Sequence, residues 1–116
     1  MTERAPRLVR KRDGRVVSFD QTKITNAIFK AAQAVGGDDY DRAIFISNQV
    51  VEFLAEQYGL EGIPTVEEIQ DTVERSLIKH GHAKTAKAFI LYRDLHNKLR
   101  DIRALIDSQP HTIHVS

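Results

Sequence analysis

Between Tyr40 and Tyr58 the residues Tyr40, Ala43, Ile44, Ser47, Val50, Val51, Leu54, Ala55 and Tyr58 recur at helical steps, and Gly59 ends the run. That rhythm gives an α-helix one face that must be covered by other parts of the protein. The rest of the chain supplies the cover. Ile24, Ala27, Ile28, Ala31 and Val35 form a second stripe. It opens after Asp20, a side chain that can accept from the first free N–H groups of a helix, and Gly36-Gly37 stops it. Thr65-Val66-Glu67-Glu68 reads as a capping box, with Ile69, Val73 and Leu77 as the stripe behind it and Gly81 as the stop. A fourth helix starts near His82 and carries two apolar lines. Ala83, Ala86 and Ile90 make one; Ala88, Leu91, Tyr92, Leu95, Leu99, Ile102 and Ile106 make the other, which alone continues past Arg93.

Ahead of the helices, Leu8 to Phe19 reads as a β-hairpin about Asp13-Gly14, a pair suited to a two-residue type I′ turn. That turn predicts pairing of Arg12 with Arg15, Arg10 with Val17 and Leu8 with Phe19. One face would then carry Leu8, Val17 and Phe19, and the other Val9, Lys11, Val16 and Ser18. The link Leu60 to Pro64 has room for a third short strand. The expected fold is α+β, a four-helix bundle capped by a small β-sheet built on the hairpin, with most of the core supplied by helices. Residues 1–7 are expected to be a flexible N-terminus, 8–106 the domain, and 107–116 an irregular tail containing Pro110.

Composition narrows the function. The 116 residues suit one compact domain, with 41% hydrophobic and 28% charged residues. No apolar stretch is long enough to span a membrane, and MTERAPRLVRKRDG has no apolar core of a secretory signal. There is no cysteine, hence no disulfide, thiol nucleophile or cysteine-ligated zinc within this chain. A cytoplasmic protein is the simplest reading. The net charge of +1 gives no global field for nucleic acid, although Arg4, Arg7, Arg10, Lys11, Arg12 and Arg15 crowd the N-terminal end.

Catalytic patterns are missing. Neither a GxxxxGK[ST] loop nor a GxGxxG fingerprint occurs. Of His80, His82, His96, His111 and His114, the first two lie two apart across a helix break, which is not the spacing of a helical metal pair. No metal site is expected. The basic hairpin holds the strongest candidate chemistry: Val9 and Lys11 share a face, so a base or sugar on Val9 and phosphates near Lys11 would fit. Lys23 adds charge beside the free N–H groups at the start of the first helix. The same residues also suit a hairpin whose charged edges merely block sheet-to-sheet association, the commoner use of such a pattern. Lys84 and Lys87 form either a second cationic patch or a solvated face. Arg93 falls on the line of Ala83, Ala86 and Ile90, so it is either paired inside the fold or faces a phosphate.

Two blocks together resemble the ATP-cone family, found at the N-terminus of ribonucleotide reductase large subunits. The first is Val9-Arg10-Lys11-Arg12-Asp13-Gly14 followed by Phe19-Asp20 and Lys23-Ile24. The second is Gly81-His82-Ala83-Lys84-Thr85-Ala86-Lys87-Ala88-Phe89-Ile90-Leu91-Tyr92-Arg93, with Ile63-Pro64-Thr65 between the blocks. The resemblance spans roughly residues 7 to 95 and is most like the anaerobic or cobalamin-dependent ribonucleoside-triphosphate reductases. It implies the fold expected above, binding of ATP or dATP with Mg2+ carried by the triphosphate, and allosteric control of an attached reductase rather than catalysis by this chain.

By motif match, Val9, Lys11, Arg12 and Asp13 would lie on the nucleotide, and Asp20, Lys23, Ile24 and Thr65 would complete that site. Lys84, Lys87, Tyr92 and Arg93 would approach the triphosphate or a second nucleotide. Some family members carry a glutamate where this chain has Val17, which bears on nucleotide preference. The implied partners are adenine nucleotides, the reductase catalytic domain of a full-length protein, and a second copy, with no nucleic acid and no membrane. Self-association is expected because the line from Leu95 to Ile106 outruns what the other helices can cover. Two other readings carry different signatures: a cone-containing regulator of reductase genes would use a cysteine-ligated zinc ribbon, and a purely structural helical module would show no saturable ATP binding.

Overall fold

The computed structural model describes residues 5–107. The expectations for residues 1–4 and for the tail from 108 onward, including His111 and His114, lie outside the described residues. Along the chain run β1 (Leu8–Arg10), β2 (Val16–Ser18), α1 (Gln21–Ala34), α2 (Tyr40–Tyr58), α3 (Val66–Lys79) and α4 (Ala83–Asp107). Helices α1 and α3 each pack on both α2 and α4, which closes a four-helix bundle. The fold is the expected α+β arrangement, with the two-stranded antiparallel sheet near the N-terminus. The third strand is reduced to a single parallel bridge between Arg10 and Thr65, where the Arg10 N–H donates to the Pro64 carbonyl at 2.9 Å.

The hairpin register differs from the expected one. Val9 pairs with Val17, Leu8 with Ser18 and Arg10 with Val16. Lys11 N–H donates to the Arg15 carbonyl, and Gly14 N–H donates back to Lys11, so the loop holds three residues rather than two. Gly14 takes φ +90°, the left-handed position that follows a type I turn in a three-residue hairpin. The physical reason is burial: shifting the pairing by one residue puts Val9 opposite Val17 on the inward face, beside Phe19 and the bundle core. Leu8, by contrast, is exposed, so the expected face of Leu8, Val17 and Phe19 does not form.

The helix ends follow their capping residues. Asp20 accepts from the Thr22 N–H at 3.0 Å, and Thr65 and Glu68 complete a reciprocal capping box at 3.1 and 2.9 Å. The Thr65 N–H, and then the Tyr58 hydroxyl, hold the Glu68 carboxyl below its usual range. The core runs through Ile28, Ile46, Val50, Leu54, Val73, Leu77 and Phe89. In α2 the stripe is rotated from its expected line, with Ile46 fully buried and Tyr40 and Ile44 on its exposed margin. Ser47 belongs to the buried line because its hydroxyl is satisfied: it accepts from Thr25 at 2.7 Å and donates to the Ile44 carbonyl.

In α4 the inner face is Thr85, Ala86 and Phe89, not Ala83, Ala86 and Ile90. Phe89 offers much more apolar surface than alanine, and a turn of about 100° brings it onto the core. Leu91, Leu95, Leu99, Ile102 and Ile106 lie on the opposite side, each more than half exposed. Helix α4 thus has two apolar faces and buries one.

Candidate ligand-binding site

The inward face of the hairpin, the first turns of α1, one face of α3 and the middle of α4 enclose a cavity of about 410 Å³. That volume suits a small-molecule ligand. Val9, Val17, Phe19, Ile24, Val66, Ile69, Val73 and Phe89 line its apolar part, and Lys11, Lys23, Arg93, His96 and Arg100 bring positive or ionisable groups to it. Asp20 is the one carboxylate among its lining residues, and its Oδ1 already accepts from the Thr22 N–H. Lys11, Lys23 and Arg100 have no ion pair among the described residues. An apolar chamber beside unpaired cations favours an amphiphilic anion over a purely apolar ligand.

One polar atom inside is conspicuous for lacking a partner. The Gln70 Oε1 is buried and accepts no hydrogen bond, while Gln70 lines the cavity. A buried carbonyl left unsatisfied costs about 1–3 kcal/mol, a cost that a donor on a ligand would remove.

The sequence-derived residues divide into two groups. Val9, Lys11, Asp20, Lys23, Ile24, Tyr92 and Arg93 all line this cavity. Arg93 is committed to the fold as well, pairing with Asp71 at 2.9 Å and with Glu74. Burial works against its charge, but the two carboxylates outweigh that and raise its pKa. The Tyr92 ring lies 4.2 Å from the His96 ring. The remaining candidates sit outside the cavity lining. Arg12 reaches toward α3 and α4. Asp13 is bound to the backbone and side chain of Arg15, which lower its pKa. Thr65 caps α3, and Lys84 and Lys87 are exposed near the start of α4.

Sequence reasoning missed Gln70, Phe89, His96, Asn97 and Arg100. A signal existed for Gln70: it sits beside Ile69, three residues before Val73 and four after Val66, on a face that is otherwise apolar. No local spacing pointed to the four α4 residues, since they become a wall only when the hairpin folds over them.

A second groove, about 600 Å³, lies between α2 and α3. It is the larger of the two, but Glu52 and Glu56 offset Arg75 and Lys79 there, and the Arg75 guanidinium stacks over Phe53. It contains no unpartnered buried polar atom, so the smaller cavity is the better ligand site. Among the described residues no group of three His, Cys, Asp or Glu could hold a metal, and no helix is long and apolar enough to cross a membrane. His80 instead packs edge-on against Phe45, and His82 accepts from Arg42.

The chain matches the family model of the ATP cone domain over residues 7–98. It is 38% identical over 101 residues to a vitamin B12-dependent ribonucleoside-diphosphate reductase of Mycobacterium tuberculosis, covering 87% of this chain and 14% of that protein. A reductase of the same description from Thermoplasma acidophilum is 39% identical, covering 83% of the chain and 13% of the relative. An anaerobic ribonucleoside-triphosphate reductase of Salmonella typhimurium is 33% identical, covering 87% and 14%. The chain therefore spans about one seventh of the length of these curated relatives.

Proposed function

The chain belongs to the ATP-cone family, and we propose that it is a regulatory domain that binds ATP or dATP and thereby controls a ribonucleotide reductase, with no catalysis of its own. The observation that carries this reading is the single cavity that combines an apolar chamber, the unpartnered Gln70 carbonyl and the unpaired cations Lys11, Lys23 and Arg100. The adenine packs among Val9, Ile24 and Phe89, and its amino group donates to Gln70 Oε1. With Val17 apolar, Gln70 and Asp20 are the polar groups left to read base and sugar. The triphosphate, carrying Mg2+, extends toward Lys11, Lys23 and Arg100, near Tyr92 and Arg93. Arg12, Asp13 and Thr65 are outer contacts of the same nucleotide, and Lys84 and Lys87 serve a second one.

Regulation then works by population shift. An effector changes activity only by the difference in its affinity for two states of the domain or assembly, typically on the order of 1–3 kcal/mol. The partner that reads the state is a reductase catalytic domain in the cytoplasm. Titration calorimetry with ATP and dATP in the presence of Mg2+ tests the reading. Saturable heats are expected; no saturation and no thermal stabilisation at millimolar nucleotide would remove it.

The same reading includes a second copy of this chain on the outer face of α4. Leu91, Leu95, Leu99, Ile102 and Ile106 form that face. At about 100° per residue, Lys98, Asp94 and Asp101 border it on one side and His96 and Arg103 on the other. Two α4 helices laid side by side and parallel set Asp94 and Asp101 of each against His96 and Arg103 of the other. Light scattering on the full chain and on a chain cut after Asp94 decides this: the full chain self-associates and the shortened one does not. A monomeric full chain would refute it.

A further inference from the structure

Arg12 and Lys11 are neighbours in the hairpin loop, yet they serve different places. Lys11 lines the cavity. The Arg12 guanidinium leaves the hairpin: Nη2 donates to Asp101 Oδ1 at 3.0 Å, Nη1 donates to the Asn97 carbonyl at 3.4 Å, and Nε lies 3.6 Å from Glu67 Oε2. One side chain thus joins the hairpin, the start of α3 and the far part of α4. Residues 98–107 of that part of α4 are all exposed. The tether and the cavity also share a wall. Asn97, whose carbonyl receives Arg12, lines the cavity together with Arg100. The contacts are solvent-accessible, with one third of the Arg12 side chain and two thirds of that of Asp101 exposed. Ion pairs of this kind are weak, whereas guanidinium and phosphate form strong, often bidentate hydrogen bonds.

We propose that Arg12 is a ligand-sensitive tether that pins the far end of α4 through Asp101 and lets it go when a polyphosphate occupies the cavity mouth beside Lys11. The guanidinium then moves from Asp101 and Glu67 to phosphate oxygens, and the helix beyond Asn97 loses its link to the hairpin through Asp101. The tether is the two-state element that turns occupancy of the cavity into a change at the helix end. It rests on the reading of the cavity as a nucleotide site.

Hydrogen exchange followed by mass spectrometry on the full chain tests it, with calorimetry on the same samples. Saturating Mg·ATP should speed amide exchange across residues 98–107 several-fold while the core of α2 stays protected. Asp101→Asn should show the fast pattern without nucleotide, gain nothing further from Mg·ATP, and bind Mg·ATP more tightly by up to about fivefold, since its arginine no longer has a competing carboxylate on α4. Unchanged or slower exchange in 98–107 at calorimetric saturation would overturn the tether and leave the cavity assignment intact. Weaker nucleotide binding by Asp101→Asn would overturn it as well. Absence of any saturation would instead remove the cavity assignment, and the release step with it.

Discussion

Replacing Gln70 with methionine should make the free protein more stable and its grip on adenine nucleotides weaker. Methionine is close to glutamine in length and helix propensity, so α3 and the cavity wall keep their shape. What goes is the buried Oε1, which accepts no hydrogen bond. Leaving such an atom unsatisfied costs about 1–3 kcal/mol, so its removal returns an amount of that order. For a domain of roughly this size each kcal/mol raises Tm by about 4–8 °C. The nucleotide loses in turn. With no acceptor opposite it, the adenine amino group is buried unpaired, and an affinity loss of about 1–3 kcal/mol corresponds to roughly 5- to 150-fold in Kd. Differential scanning fluorimetry measures the first effect and titration calorimetry the second. Opposite signs are the signature of a polar group kept for a ligand. A lower Tm together with weaker binding would mean that Gln70 only supports the wall, and unchanged ATP affinity would show that the base does not reach it.

Lys11→Ala should weaken ATP binding by about 10- to 150-fold, as the loss of a charge-assisted contact implies, with the helical circular dichroism unchanged because Lys11 is only half-buried. Phe89→Ala removes the largest inner-face side chain of α4, which is 4% exposed, and should cost about 3–5 kcal/mol in chemical denaturation; a loss under 1 kcal/mol would contradict the placement of α4. Burial first, then the charges of Arg42 and His80, lower the pKa at which His82 takes up a proton, and its Nε2 accepts from Arg42 Nε at 3.0 Å. The unfolded chain therefore takes up this proton first, so stability present above about pH 6.5 is lost as pH falls toward the folded pKa. His82→Gln keeps an acceptor without a titration and should show a smaller fall in Tm between pH 7 and 5; equal slopes would dismiss the assignment.

The bundle was legible because its signals are local. Helical steps, Asp20 and the Thr65–Glu68 box each act within one or two turns, and each appears where the residues put it. The hairpin was legible as an element and not as a register. Asp13-Gly14 suits a two-residue turn and also the end of a three-residue one, and what separates them is whether Val9 or Leu8 joins Val17 over a core the hairpin itself does not contain. The inner face of α4 was obscured for a related reason. Phe89 and the Leu91 line sit on opposite sides of one helix, and both are apolar. Periodicity names two candidate faces there; only packing against α1 and α3 selects one.

The cavity was half legible, and the missing half is informative. Hairpin and α1 residues carry the motif, so Val9, Lys11, Asp20, Lys23 and Ile24, which all line the cavity, are named in one pass. Asn97 and Arg100 lie where α4 runs out past the bundle, alongside the carboxylate that holds Arg12. The cavity and the uncovered helix face thereby share one stretch of α4. Its inner side closes the cavity, its Asp101 receives the hairpin arginine, and its outer side presents Leu95, Leu99 and Ile102 to solvent. On the proposed tether, a polyphosphate that draws Arg12 away loosens residues 98–107, the stretch a second α4 needs in helical order. Nucleotide binding and helix pairing then favour different states, and that difference is the differential affinity an effector needs in order to act at a distance.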